Sequence, residues 1–240
     1  MHLPRINNLK LLQSFFAEML ASFIFGYTIY TTLLSVKFDD HPAIPLAVTL
    51  GVTFSGIAII YTFADHTISH FNPAITLSAI LTRRLDPLNG IGFIISQGVG
   101  FIIAALLAVV TFPGSYEEVL DQVLVGPGSD DATNVNIFFS EFILTAILVF
   151  VAFEVAINAT RDPEKSLYED EELPNCTIVA PLTIGLTLGF LTLLASKSSG
   201  GSFNPGVAFA PMLISGHWPY PWQYYVAQFT GGLFGALVQV

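Results

Sequence analysis

Two short segments hold the residues whose chemistry is most specific. SHFNPAITLSAI at 69–80 and GSFNPGVAFAPM at 201–212 align without a gap, and both read Phe-Asn-Pro, then one small residue, then a β-branched one. Asn at a helix start caps free backbone N–H groups, and Pro in the first turn has no N–H to leave unsatisfied. Helices are therefore predicted to open at Asn72 and Asn204, with Pro73 and Pro205 in first position. Ahead of each segment, a glutamate sits inside an apolar run: Glu18 in FFAEMLASFIF and Glu141 in FFSEFILTAILVF. Such a set can donate hydrogen bonds, accept them and present helix-end dipoles. No Ser-His-Asp set, phosphate-cradling Gly loop or metal cluster accompanies it, and His66 and His70 lack a partner at ligand spacing. No enzymatic activity, metal or cofactor is expected, and the single Cys176 reads as a passive thiol.

The elements that carry these residues follow from composition. Of 240 residues, 53% are apolar and 11% charged, with a mean hydropathy of +0.68, whereas soluble domains carry about 25% charged residues. The charges are bunched, leaving uncharged windows at 19–36, 41–64, 87–116, 173–196 and 198–240. Each is near or above the ~18 residues that suggest a membrane span. Spans are predicted near 11–36, 43–64, 88–112, 136–159, 177–196 and 220–240. The segments Pro73 to Thr82 and Pro205 to Ser215 are too short to cross. At 1.5 Å per residue they reach roughly 15 Å, half of a ~30 Å hydrocarbon core.

Lys and Arg fix an expected orientation. With the N-terminus inside, Arg5, Lys10, Arg83, Arg84, Arg161 and Lys165 are cytoplasmic, and Lys37 and Lys197 are outside, which fits the positive-inside rule. Both termini are then cytoplasmic, and the two short segments enter from opposite faces, as an inverted repeat requires. The chain divides into a first half at 1–112, an extracellular connecting loop at 113–135 and a second half at 136–240. The net charge of −10 lies mostly in Glu117 to Asp131 and Asp162 to Glu172 and implies no nucleic-acid partner. The acidic run Tyr168 to Leu173 reads as a solvated connector. The glycosylation patterns at Asn158 and Asn175 fall on the cytoplasmic side, so neither is expected to carry glycan.

Two helix starts meeting at mid-membrane expose unpaired N–H donors, which is costly unless they face a wet cavity. The residues leading into each Asn become the expected pore wall: Ile68, Ser69, His70 and Phe71, then Gly200, Gly201, Ser202 and Phe203. Each start behaves like roughly half a positive charge, an electrostatic hill for cations. Anions still forfeit their solvation in a narrow apolar tube. Neutral solutes are favoured. Arg83 and Arg84 end the first short helix, complement its dipole and snorkel to the cytoplasmic interface.

The pattern resembles the aquaporin and aquaglyceroporin family across nearly the whole chain. The resemblance rests on the two Asn-Pro boxes, Glu18 and Glu141, Gln97 in SQGVGFIIAALL, Gly185 and Gly189 in close-packing spacing, and Gly231, Gly232 and Gly235 in the last span. It implies an all-α membrane fold of six spans plus two re-entrant half-helices, with a pore in each subunit of a homotetramer in the lipid bilayer. A multi-pass plasma-membrane protein is expected. It further implies that Asn72 and Asn204 bind passing solute, that Glu18, Glu141 and Gln97 brace the re-entrant loops, and that an outer filter falls on Val52, Thr192, Gly201 and Val207. The family normally places Arg directly after its second box. This chain has Val207 there, which predicts a wider, less polar constriction unless Lys197, His217 or Trp218 restores it. Gln228 and Phe229 match neither the water-selective nor the glycerol-passing pattern. A passive channel for water and small uncharged solutes such as glycerol, urea or hydrogen peroxide is expected. The rival readings are a secondary transporter, which also uses inverted repeats and broken helices, and a family member with a closed pore and a structural role.

Overall fold

The computed structural model describes residues 8–37, 44–158 and 176–240. The expectations resting on Arg5, Arg161, Lys165, the 168–173 run and Asn175 lie outside these residues. The described chain is helical: α1 (Asn8–Lys37), α2 (Ile44–Phe63), α3 (Pro73–Leu81), α4 (Pro87–Thr111), α5 (Tyr116–Val123), α6 (Asn134–Ala152), α7 (Cys176–Ala195), α8 (Pro205–Ser215) and α9 (Pro221–Val238). A six-residue π-helical turn, Phe153–Asn158, extends α6, and all six predicted spans are present within one or two residues at most ends. Among the described residues, five helices are long and apolar enough to cross a bilayer. The sixth, α9, has 18 residues but is diluted by Gln223, Gln228 and its glycines.

The packing repeats between the halves. α1 lies along α4 as α6 lies along α9, and α2 lies along α7 at the join. Glycine permits this closeness at matched points. A Cβ on Gly100 would run into the Met19 carbonyl, and one on Gly231 into the Phe142 carbonyl. At the join, Gly185 and Gly189 bring α7 against Thr53 and Ile57 of α2. The short helices are exchanged: α3 of the first half packs chiefly on α9, and α8 of the second half chiefly on α4. Each is thus held by both halves.

The connection at 113–135 differs from the expected plain loop, because it contains α5. Ser115 and Glu118 form a reciprocal capping box: the Glu118 N–H donates to Ser115 Oγ at 3.3 Å and the Ser115 N–H to Glu118 Oε2 at 2.8 Å. These bonds hold the exposed Glu118 carboxyl below the usual carboxylate range, the Ser115 N–H contributing most. Val119, Leu120 and Val123 bury the inner face of α5.

Candidate functional site: a two-sided cavity closed by paired helix starts

Both predicted caps form. Asn72 Oδ1 accepts from the Ala74 N–H at 2.9 Å, and Asn204 Oδ1 accepts from the Gly206 N–H at 3.0 Å. The other end of each amide joins the halves. Asn72 Nδ2 donates to the Phe203 carbonyl at 2.8 Å, and Asn204 Nδ2 donates to the Phe71 carbonyl at 2.7 Å. The starts of α3 and α8 therefore abut, each asparagine tied to the residue before the other. Both asparagines are buried.

The backbone feeding each start is non-helical and matched in conformation. Ser69 and Phe71 take positive φ of 49° and 30°, and their counterparts Gly201 and Phe203 take 80° and 48°. Two of these four are phenylalanines, for which the left-handed region is unfavourable, so the loops need external support. Glu18 supplies it in the first half: Oε1 accepts from the Phe71 N–H at 2.6 Å and from Gln97 Nε2 at 2.8 Å, and Oε2 accepts from Thr67 Oγ1 at 2.8 Å. Glu141 does so in the second: Oε1 accepts from Ser199 Oγ at 2.6 Å and the Ser202 N–H at 3.0 Å, and Oε2 from the Phe203 N–H at 2.9 Å and Gln228 Nε2 at 2.7 Å. Both carboxyls are fully buried. Gln228 is thus the second-half counterpart of Gln97, a role sequence reasoning missed. The signal was available, since Gln97 and Gln228 are separated by the same 131 residues as Gly100 and Gly231.

Two cavities converge on the paired starts. One, about 700 Å³, is lined by Ile68, Ser69, His70, Phe71 and Asn72, together with Tyr61, Asp65 and Arg84. The other, about 500 Å³, is lined by Val52, Thr192, Gly201 and Val207, together with Gly200, Ser202, Phe203 and Lys197. Phe25, Leu188 and Asn204 belong to both. The C-terminal end of α2 borders the first and its N-terminal end the second, so the cavities open at opposite ends of the spans. Phe25 and Leu188 had not been singled out in the sequence, because nothing distinguishes them from other apolar span residues.

The four expected filter positions therefore share one cavity. Their polarity is low. Val52, Thr192 and Val207 are buried, and the Thr192 hydroxyl donates to the Leu188 carbonyl at 2.8 Å, so its oxygen faces outward only as an acceptor. Lys197 lines this cavity and is exposed. His217 and Trp218 are not among its lining residues: Trp218 packs edge to face with Phe209 at a centroid distance of 6.1 Å, and the His217 N–H donates to Ser215 Oγ at 3.1 Å. Arg83, in left-handed backbone, and Arg84 follow α3 as expected. The Nε and Nη1 of Arg84 are buried without a hydrogen-bond partner beside the first cavity.

Comparison with known proteins bears on this arrangement directly. Residues 5–239 match the sequence model of the major intrinsic protein family. The chain belongs to the major intrinsic protein family. Within that family it is similar to "Aquaporin" of Enterocytozoon bieneusi (strain H348), with 48% identity over 228 residues covering 95% of this chain and 94% of the relative. It is also similar to "Glycerol uptake facilitator protein-like 6" of Lactiplantibacillus plantarum, with 30% identity covering 94% and 95%. Its fold is that of the aquaglyceroporin from Plasmodium falciparum, with a TM-score of 0.68 over 95% of this chain and 93% of that one at 14% identity. Like the rest of the family, this chain is an integral, multi-pass transmembrane channel and not an enzyme.

Proposed function

We propose that the chain is a passive pore for water and small uncharged solutes, with glycerol and urea in its range. The observation that carries this reading is the reciprocal pair of asparagine bonds. Each amide nitrogen has two hydrogens; one is spent on the opposite loop, and the second serves a solute passing between the two cavities. The facing starts of α3 and α8 add roughly half a positive charge each, which opposes cations. Neutral molecules able to accept a hydrogen bond are then the preferred cargo. Relatives are named aquaporin and glycerol uptake facilitator, in keeping with that range.

In this reading Val52, Thr192, Gly201 and Val207 form the outer constriction, and the Lys197 side is extracellular. With Val207 where a guanidinium would stand, the constriction offers two aliphatic side chains, a threonine oxygen and a glycine carbonyl. Solutes larger than water are less strongly refused, and cation exclusion rests on the two helix starts. Homotetrameric assembly, plasma-membrane placement and cytoplasmic termini belong to the same proposal. The test is stopped-flow light scattering on proteoliposomes under sucrose, glycerol and urea gradients in turn. Val207→Arg is expected to reduce glycerol passage more than water passage; equal loss of both would contradict the filter assignment.

A further inference from the structure

The Val207 carbonyl lies where α8 lacks the regular helical donor for it. In an α-helix the carbonyl of residue i accepts from the N–H of residue i+4. Four residues after Val207 is Pro211, inside α8, which has no N–H to give. The hydrogen bond comes instead from α1: the Tyr30 hydroxyl, on a fully buried side chain, donates to the Val207 carbonyl at 2.8 Å. We infer that Tyr30 is a positioning residue for solute selection, fixing from behind the backbone that presents the Val207 side chain to the outer cavity. This rests on reading Val207 as part of the constriction.

The internal repeat supplies a control. By the spacing that relates Asn72 to Asn204, Ile75 corresponds to Val207 and Ala79 to Pro211; by the spacing that relates Glu18 to Glu141, Phe153 corresponds to Tyr30. In the first half the residue at the Pro211 position is alanine, which retains its N–H, and the residue at the Tyr30 position is phenylalanine, which has no hydroxyl. Phe153, like Tyr30, is fully buried, so the two sites share an apolar ring. The hydroxyl occurs in the half where proline has removed the helical donor. A ring serving to fill space would need no oxygen at either position, whereas an orphaned buried carbonyl does need a donor.

The experiment measures the glycerol-to-water permeability ratio of proteoliposomes after the rates of protein-free vesicles are subtracted for each solute, a quantity unaffected by how many channels have folded. Tyr30→Phe is expected to raise the ratio roughly three- to fivefold, the equivalent of one typical net hydrogen bond, because a carbonyl without its donor no longer holds the constriction. Adding Pro211→Ala to Tyr30→Phe restores a helical N–H, reproduces the first-half arrangement and is expected to return the ratio to the wild-type value. Val207→Arg serves as the reference arm. If it lowers the ratio while Tyr30→Phe leaves the ratio unchanged, the role of Tyr30 is overturned and the filter assignment stands. If Val207→Arg has no effect on the ratio, the filter assignment fails and the inference falls with it. A raised ratio that Pro211→Ala does not reverse also overturns the inference, since the carbonyl would then not be the group held.

Discussion

Buried carboxyls in an apolar span are expensive, and Glu18 and Glu141 each offset that cost by collecting donors from a loop that cannot satisfy itself. The second case is the fuller: two backbone N–H groups, one hydroxyl and one amide converge on Glu141. Glu141→Gln would turn one acceptor oxygen into a donor facing donors. It is expected to cost ~1–3 kcal/mol for each bond lost, read as a lower thermal unfolding midpoint in detergent; Gln228→Leu, which removes a single donor, is expected to cost less. Equal stability of Glu141→Gln and wild type would show the brace to be dispensable. The glutamates were legible in the sequence because charge is rare in such spans. Gln228 was not, because a glutamine in a span is conspicuous only once it is set against Gln97 in the other half. Tyr30 was hidden for another reason: its partner is a carbonyl, and which carbonyls lack a helical donor follows from proline position, while which side chain reaches them follows from the tertiary fold.

At the level of elements, the two half-helices were readable from Asn-Pro chemistry, and their boundaries follow it: each starts on its proline, with the preceding asparagine as cap. Their mutual engagement was readable only as a repeat, because bonds such as Asn72 to the Phe203 carbonyl span 131 residues. Helix α5 escaped the reading because its eight residues are mixed in polarity and its start signal, the Ser115–Glu118 box, lies within an acidic run. The exchange of α3 and α8 between halves depends on close approach of the long helices, which Gly100 and Gly231 permit. Gly100→Val and Gly231→Val would each force a side chain into a facing carbonyl. Each is expected to destabilise by ~1–3 kcal/mol or more, as overpacking does, and to reduce the yield of monodisperse protein in size-exclusion chromatography. Gly98 has open space at its Cβ position, so Gly98→Ala is the matched control, expected to retain the wild-type profile.

For the whole molecule, the two cavities open at opposite ends of the spans, and Phe25, Leu188 and Asn204 border both. Six long helices form the wall and two short ones bring their polar starts to the centre, where backbone N–H groups that lipid would penalise are met by Asn72, Asn204, Glu18 and Glu141. On the proposed reading, this division of labour explains why so few conspicuous side chains are needed: amide nitrogens, loop backbone and helix ends share the selection with the four filter positions. The composition announced a membrane protein and the repeat announced two matched halves, whereas the dimensions of the cavities depended on side-chain packing that no periodicity encodes. The most direct test is the osmotic shrinkage rate of vesicles containing the purified chain, recorded across a series of sucrose gradients without any ion gradient. The account predicts shrinkage faster than in protein-free vesicles, proportional to the gradient and weakly dependent on temperature. Shrinkage no faster than in protein-free vesicles, or a rate that saturates and requires a coupled ion gradient, would contradict it.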